Sequence, residues 1–163
     1  MIESLGVDFG NVIIDHLGFG TTTEFFDSGD YNSIPPVPGA IEALSRLNQG
    51  RFRESIFVVY NATNVADQKI AGWLKFHNFC EKTGITKERV QRTTNGRDKS
   101  GICRKYNASC FVDDRLEVLG YLLGKVKLLY LFRPQSQEVE QHRLYLPYVQ
   151  RASTWEELIT LLL

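Results

Sequence analysis

Short apolar runs that end in polar or acidic residues recur along this chain, and they constrain its fold more than any other feature. Four strong runs and one weaker run occupy 5–8, 55–60, 110–112, 126–132 and 90–93. Short apolar runs without alternation are typical of strands buried on both faces. Helical patterns fill the intervals between them, which indicates βαβ units and a parallel sheet. We therefore predict a three-layer, Rossmann-like α/β fold with a doubly wound parallel sheet of about five strands and helices on both faces.

Five segments carry helical patterns or helix-start signals. They cover 38–47, 65–76, 99–106, 116–123 and 153–162. Pro38 is typical of a first helical turn, and Ser153-Thr154-Trp155-Glu156 has the pattern of a capping box. The segment 133–150 is polar and irregular, and we interpret it as a partly helical excursion that covers a sheet edge.

The length of 163 residues fits one domain with a single core. Residues 15–36 hold several glycines and threonines together with Pro35-Pro36, a composition typical of a loop or a small flap. We therefore predict one domain over residues 1–163, with a small flap insertion at about 15–36.

Charge and cysteine content bound the partners of the chain. Nineteen basic and nineteen acidic side chains balance, which argues against a broad nucleic-acid surface. Basic residues cluster between 89 and 105, and we interpret that cluster as a solvated face. Cysteines 80, 103 and 110 lack paired zinc spacing and indicate free thiols in a reducing compartment. Without a signal-peptide pattern or an apolar run of ~20 residues, we expect a cytoplasmic protein that does not bind membranes.

Polar residues collect where the predicted strands end. Asp8 ends the first run, and Asp113-Asp114 follow the run at 110–112. In an open parallel sheet, ligands bind beyond the carboxyl ends of the strands. Carboxylates crowded there repel one another unless a cation is present, and Mg²⁺ is the natural oxygen-ligated partner. A simpler interpretation is that Asp113-Asp114 only cap the helix that follows.

The order of these segments resembles the haloacid dehalogenase-like superfamily. An apolar strand precedes Asp8-Phe9-Gly10-Asn11-Val12-Ile13, a distant Lys99 follows, and Phe111-Val112-Asp113-Asp114 comes after it. The resemblance covers nearly the whole chain, and the stretches at 96–100 and 111–119 are similar to small cytosolic nucleotidase-like members. It implies a Mg²⁺-dependent, phosphatase-like hydrolase that acts through an aspartyl-phosphate.

The resemblance also implies a role for each motif residue. Asp8 corresponds to the nucleophile and a metal ligand, and the backbone carbonyl of Gly10 to a second metal ligand. Asp113 corresponds to a direct Mg²⁺ ligand, and Asp114 to a ligand through water or an orienting group. Lys99 corresponds to the lysine that holds the nucleophile and the phosphoryl oxygens. Lys82 and Lys105 are weaker candidates for that lysine.

The first departure from the superfamily pattern is at Gly10. Phosphatases of the superfamily usually carry an acid two positions after the nucleophile, where it serves as general acid and base. Loss of such a group typically costs ~10²–10⁴-fold in rate. Asn11 and Asp15 are the nearby polar residues that could replace it, and we include Asn11 among the substrate-binding residues.

The second departure is at the end of the second long strand, where the superfamily places Ser or Thr. Tyr60 occupies that position in one alignment, and a shift of one residue places Asn61 there. Thr63 is a third candidate. We predict that Tyr60, Asn61 and Thr63 contact the substrate and that Asn61 acts in catalysis, since an amide can donate to a phosphoryl oxygen.

The short insertion after the first strand indicates a member without a cap, or with a minimal one. Such a site stays open, so the phosphorylated substrate can be a small molecule or a macromolecule, and the uncovered site with the apolar C-terminal helix permits a homodimer. An alternative function is a catalytically weak or inactive relative that binds a phosphorylated ligand or a protein. Hydrolysis at carbon or of a phosphonate is disfavoured, because the haloacid dehalogenases enclose their substrates with a substantial cap.

Overall fold

In a computed structural model, which describes residues 1–16 and 30–163, the strands form one parallel sheet. The strands of the described residues are β1 (Leu5–Asp8), β2 (Ile56–Asn61), β3 (Val90–Thr93), β4 (Cys110–Asp113), β5 (Leu128–Phe132) and β6 (Gln150–Ala152). Their order is β3-β2-β1-β4-β5-β6, and every neighbouring pair is parallel. The predicted α/β fold is confirmed, and the sheet of the described residues has six strands where about five were predicted.

The additional strand, β6, has no apolar run. Gln150 and Arg151 are exposed, and only Ala152 is buried. The strand pairs with β5 along one edge of the sheet, with Tyr130 opposite Gln150 and Phe132 opposite Ala152. Because an edge strand obtains its hydrogen bonds from a neighbour far away in sequence, its own residues need not be apolar.

Helices alternate with the strands. Those of the described residues are α1 (Ala40–Gln49), α2 (Asn64–Phe76), α3 (Phe79–Thr83), α4 (Lys99–Lys105), α5 (Leu116–Tyr121), α6 (Ser136–Gln141) and α7 (Trp155–Leu162). The five predicted helices are all present, and α3 and α6 are additional. The predicted partly helical excursion is confirmed, since α6 is followed by a 3-10 helix at Arg143–Tyr148.

The cap of α7 lies one residue later than predicted. The side chain of Thr154, not Ser153, accepts a hydrogen bond from the Glu157 amide at 3.1 Å. The Glu157 carboxylate accepts in return from the Ser153 amide at 2.7 Å. The threonine and the glutamate three residues later therefore satisfy the helix start together.

The helices cover both faces of the sheet. One apolar cluster joins a face of the sheet to α1, α2, α3 and α7, and the second joins the other face to α4 and α5. Trp155 is fully buried in the first cluster and donates to the Val12 carbonyl at 2.7 Å. The C-terminal helix thereby holds the loop that follows β1. Cys80, Cys103 and Cys110 are free thiols, as predicted.

Most of the predicted flap at 15–36 lies outside the described residues. At its described end, Tyr31–Ser33 form a 3-10 helix, and Pro36 pairs with Ile14 in an antiparallel bridge. Among the described residues, no helix is long and apolar enough to span a membrane.

Candidate active site

The carboxyl ends of β1 and β4 form the topological switch point of the sheet. The chain winds outward from β1 to β3, then returns to β4 beside β1. Val7 lies opposite Val112 in this pair, so Asp8 and Asp113, the last residues of their strands, lie side by side. Ligands of open α/β sheets bind at such a point, because the loops separate there and leave a crevice.

A buried lysine bridges the two strand-ending carboxylates. Lys99 Nζ donates to Asp8 Oδ1 at 2.7 Å and to Asp113 Oδ2 at 2.8 Å. Lys99 is 3% exposed, Asp113 0% and Asp8 7%. Carboxylate oxygens of Asp8, Asp113 and Asp114 also lie within 4.8 Å of one another. We call these four residues the acid–lysine cluster, and when ionised they carry two negative charges in excess.

Burial and charge shift the protonation of this cluster. Burial, followed by the charge of Asp8, raises the pKa of Asp113 to about 6. Burial, followed by the charges of Asp8 and Asp113, raises the pKa of Asp114. Burial alone would lower the pKa of Lys99, but the carboxylates of Asp113 and Asp8 raise it above its usual value. The lysine is therefore charged, and three ionised carboxylates around it require a further cation.

A divalent cation with oxygen ligands fits this arrangement. The excess of two negative charges equals the charge of Mg²⁺, and the ligand atoms are hard carboxylate oxygens. The Arg115 amide donates to Asp113 Oδ1 at 3.0 Å, which orients that carboxylate. The donor set of the acid–lysine cluster therefore suits Mg²⁺ better than a soft transition metal.

The loop after β1 is shaped around Asn11. Asn11 has a left-handed backbone with φ of 60°, a conformation that asparagine tolerates better than most residues. Its backbone N–H donates to the Ile14 carbonyl at 2.8 Å, and its side-chain Nδ2 donates to Asp114 Oδ2 at 3.3 Å. Its Oδ1 is buried and has no hydrogen-bond partner among the described residues. Asn11 thus joins the loop to the acid–lysine cluster.

Steric crowding does not require a glycine at position 10. A Cβ built on Gly10 would meet only His16 Cδ2, at an ordinary contact distance of 3.8 Å, and Gly10 does not have a positive φ. The absence of an acid at position 10 is therefore a chemical difference from the superfamily pattern and not a consequence of limited space. Asp15, one candidate replacement, is already paired with Arg133 at 3.1 Å.

Strand register distinguishes between Tyr60 and Asn61. Asp8 lies opposite Val59, so Asn61, two residues further, projects from the same face of the sheet as Asp8. Tyr60 projects from the other face, where its ring packs 6.0 Å from that of Phe9 and its hydroxyl donates to Asp67 Oδ1 at 2.6 Å. Of the two alternatives, Asn61 is the one on the face of the acid–lysine cluster.

Asn61 and Thr63 are exposed at the mouth of the site. The side-chain Oδ1 of Asn61 accepts a hydrogen bond from the Thr93 hydroxyl, so the side-chain Nδ2 is the Asn61 donor toward a ligand. Thr63 Oγ1 accepts from the Ala66 amide at 3.3 Å and caps α2, which leaves its hydroxyl hydrogen as a donor.

All nine residues predicted for the site border one cavity of about 410 Å³. They are Asp8, Gly10, Asn11, Tyr60, Asn61, Thr63, Lys99, Asp113 and Asp114. Three polar residues that were not predicted border it as well, namely His16, Tyr31 and Arg115. Arg115 could have been found from its place directly after the acid pair. His16 stands in the flap close to Asp8, which gives it only a weak functional expectation, and no sequence signal marks Tyr31.

The structure also distinguishes among the candidate lysines. Lys99 lies in the cluster, whereas Lys105 contacts Gln91 at 3.4 Å and the ring of Tyr106, and Lys82 is exposed on α3.

Solved structures of phosphatases share this fold. A D,D-heptose 1,7-bisphosphate phosphatase from B. bronchiseptica, complexed with magnesium and phosphate, matches with a TM-score of 0.67 and 14% identity over 99% of this chain and 98% of its own. The corresponding enzyme from Burkholderia thailandensis matches with 0.58 and 11% identity over 98% and 97%. A phosphoserine phosphatase in its apo form matches with 0.54 and 13% identity over 92% and 100%.

At these identities the likeness shows the fold alone, and it confirms the predicted haloacid dehalogenase-like fold. No family model matches the sequence, and no curated protein matches it.

Proposed function

We propose that this protein is a Mg²⁺-dependent phosphatase that hydrolyses a phosphate monoester through an aspartyl-phosphate on Asp8. The observation that carries the proposal is the acid–lysine cluster at the switch point of the sheet. Buried charges are costly unless they are paired, so a chain that keeps three acids and one lysine there has a chemical use for them. The phosphatases that share the fold support the same reaction class.

The reaction has two displacement steps. A carboxylate oxygen of Asp8 attacks the phosphorus and the ester P–O bond breaks. The leaving oxygen departs with the bonding electrons and takes a proton from solvent water, since position 10 carries no acid. Water then attacks the phosphorus of the aspartyl-phosphate and gives up a proton to solvent. The P–O bond to Asp8 breaks, its electrons return to the Asp8 carboxylate, and phosphate leaves. Lys99 holds the Asp8 carboxylate through its 2.7 Å hydrogen bond and donates to the phosphoryl oxygens as negative charge shifts onto them.

Asp8, Asp113 and the Gly10 carbonyl would hold Mg²⁺, and Asp114 would bind it through water or orient the other ligands. When bound, the ion neutralises the excess charge of the cluster and the charge of the phosphoryl oxygens. The 3.3 Å hydrogen bond from Asn11 to Asp114 keeps that carboxylate in place.

The remaining pocket residues bind the phosphoryl group. Asn61 and Thr63 donate to its oxygens from the exposed side of the cavity, and the Asn61 amide orients the group for attack. Asn11 adds a polar contact beside Asp8. Tyr60 contributes the apolar wall through its ring, because its hydroxyl is bonded to Asp67.

We further propose that residues 1–163 form one domain with at most a minimal cap. Asn61, Thr63 and Arg115 are exposed at the pocket, which supports access from solvent. An open pocket accepts a phosphorylated small molecule or a phosphorylated site on a macromolecule.

A second candidate function, phosphate-ligand binding without multiple turnovers, is supported by Gly10. This position lacks the acid that would protonate the leaving group, although the structure has room for one. The two functions differ in turnover and share the requirement for the acid–lysine cluster.

The deciding experiment is Mg²⁺-dependent phosphate release from an aryl phosphate, whose leaving group needs little protonation. Asp8→Asn should lower the rate at least ~10³-fold, because the nucleophile is lost. The matched control is Asp30→Asn, an exposed aspartate outside the cavity, which should retain the wild-type rate. Equal rates for wild type and Asp8→Asn would refute the phosphatase and leave ligand binding as the function.

A further inference from the structure

A second cavity, of about 390 Å³, adjoins the catalytic pocket. It lies between the loop 95–97, before α4, and the side chains of α5. Arg115 and Val118 border both cavities, so a molecule in the catalytic pocket can extend directly into the second one. A volume near 400 Å³ is sufficient for part of a small ligand.

Two arginines define the polar surface of this second cavity. The Arg97 guanidinium lies over the ring of Tyr121, 5.5 Å from its centroid. Tyr121 donates to Glu117 Oε1 at 2.8 Å, and Arg115 donates to Glu117 Oε2 at 2.7 Å. Although both arginines are exposed, each guanidinium has one side-chain contact beside the cavity, which narrows the positions that it adopts.

The side chains that line this cavity carry a net positive charge, since they include two arginines and one glutamate. Glu117 neutralises one of the two arginines, and within the described part of the chain Arg97 forms no ion pair. A guanidinium stacked on an aromatic ring still presents its edge donors, which suit the paired oxygens of a phosphate or a carboxylate. The acid–lysine cluster is negative without its metal, so this surface is the part of the site that attracts an anion.

The positions of the two arginines in the sequence place them next to the acid–lysine cluster. Arg97 lies two residues before Lys99, and Arg115 lies two residues after Asp113. Because Lys99 bonds to Asp113, the segments that carry the two arginines start from one fixed point. The second cavity therefore lies beside the pocket in which the proposed phosphoryl group would bind.

We propose that Arg97 and Arg115 bind a second anionic group of the substrate, a phosphate or a carboxylate, while the reacting phosphate lies at Asp8. This inference rests on the proposed function, whose phosphoryl position it extends. It narrows the substrate to small phosphate monoesters that carry another anionic group a few bonds away. A neutral alcohol phosphate fills the catalytic pocket alone and gains nothing from the second cavity.

The test is a binding measurement that needs no turnover. The full-length Asp8→Asn protein with Mg²⁺ is titrated calorimetrically with butyl phosphate, with butane bisphosphate and with the matching phosphate that carries a terminal carboxylate. Shorter and longer homologues are titrated in the same way. The second anionic group should tighten binding at least ~10-fold at the best chain length. Whichever of the bisphosphate and the carboxylate compound binds more tightly identifies the group that the arginines prefer. Arg97→Gln and Arg115→Gln, each added to Asp8→Asn, should each remove most of that gain.

Arg104→Gln is the matched control, because Arg104 is exposed on α4 and borders neither cavity. It should keep the full gain. The proposal would be overturned by equal affinity for butyl phosphate and for the two compounds with a second anionic group. A gain that survives both arginine substitutions would overturn it as well. Aryl phosphate hydrolysis tests the phosphatase separately, so an arginine-dependent gain without any hydrolysis would refute the proposed function and keep the anion site.

Discussion

The two walls of the candidate active-site pocket differ in how deeply their side chains are buried. In the acid–lysine cluster, the Lys99 side chain is 4% exposed and that of Asp113 is 1% exposed. The other wall is formed by Asn61, Thr63 and Arg115, which we call the polar rim, and there the Arg115 side chain is 49% exposed. Charges that interact away from water are strong and sensitive to position, whereas exposed groups interact weakly and adapt. On the proposed function, the buried wall holds the nucleophile and the metal ligands, whereas the exposed rim contacts the phosphoryl group and the rest of the ligand.

Lys99→Met should produce the largest effect, because it leaves two buried carboxylates facing each other. Removing one partner of a buried ion pair typically costs about 3–5 kcal/mol of stability, and activity should fall ~10³-fold with the lost phosphoryl contact. Urea unfolding in EDTA measures the stability, and the aryl phosphate assay measures the rate. Lys105→Met, on the same helix and outside the cavity, is the control. A Lys99→Met protein as stable as wild type would show that the cluster is not a tightly coupled unit.

Gly10→Asp should add the missing acid beside the cluster. The structure leaves ordinary contact space for the new Cβ, so the protein should fold, and turnover of alkyl phosphates should rise ~10²-fold. Aryl phosphates should gain less, because their leaving groups need little protonation. Phosphate release from both substrates is measured, with Gly10→Asn as the variant of similar shape that cannot donate a carboxyl proton. An equal gain from Gly10→Asn would mean that proton transfer is not the cause.

The metal-free protein should lose stability as the pH rises. The pKa of Asp113 is raised to about 6 in the fold, so the folded state binds more protons than the unfolded state between about pH 4 and 6. Its contribution is present below this window and is lost above it, on the order of 2–3 kcal/mol. Mg²⁺ binds the ionised form and should therefore stabilise the protein more at about pH 7.5 than at about pH 4.5.

Urea unfolding across this pH range, once with EDTA and once with Mg²⁺, measures the free energy of unfolding. Asp113→Asn should reduce its dependence on pH in both conditions. Mg²⁺ stabilisation that is independent of pH would contradict a metal site built from these carboxylates.

Asn61→Ala should have a smaller effect than any change in the cluster. The loss of one exposed donor should lower kcat/KM for an aryl phosphate ~10-fold. Tyr60→Phe keeps the ring on Phe9 and removes only the hydroxyl bonded to Asp67, so its effect should stay within ~3-fold. Steady-state kinetics of the two variants side by side provide the comparison. A larger loss from Tyr60→Phe than from Asn61→Ala would reverse the assignment made from strand register.

Much of the fold could be predicted because its signals are local. The bounds of β1 and β3 match the prediction, and the predicted helices are all present. Two elements were not predicted, namely the short helix α3, which buries Phe79 and Thr83, and β6, which buries one residue. The helix α6 was predicted only as part of an irregular excursion, and it buries no residue. The Glu138 carboxylate of α6 accepts from the Leu116 and Glu117 amides at 2.6 and 3.0 Å, so this helix caps α5 from a distant part of the chain. No pattern within 133–150 reveals that contact.

The amino-acid sequence by itself determined that Asp8 and Asp113 end buried strands, because apolar residues change to acidic residues within a few positions. Parallel pairing then places such ends at one edge of a sheet. Only the tertiary structure decided that Lys99 lies between them and that Asn61, not Tyr60, shares their face. Side chains alternate across a strand, so the face of a residue depends on which residue of the neighbouring strand lies opposite. That register is set by contacts between segments some fifty residues apart, and a local pattern does not contain it.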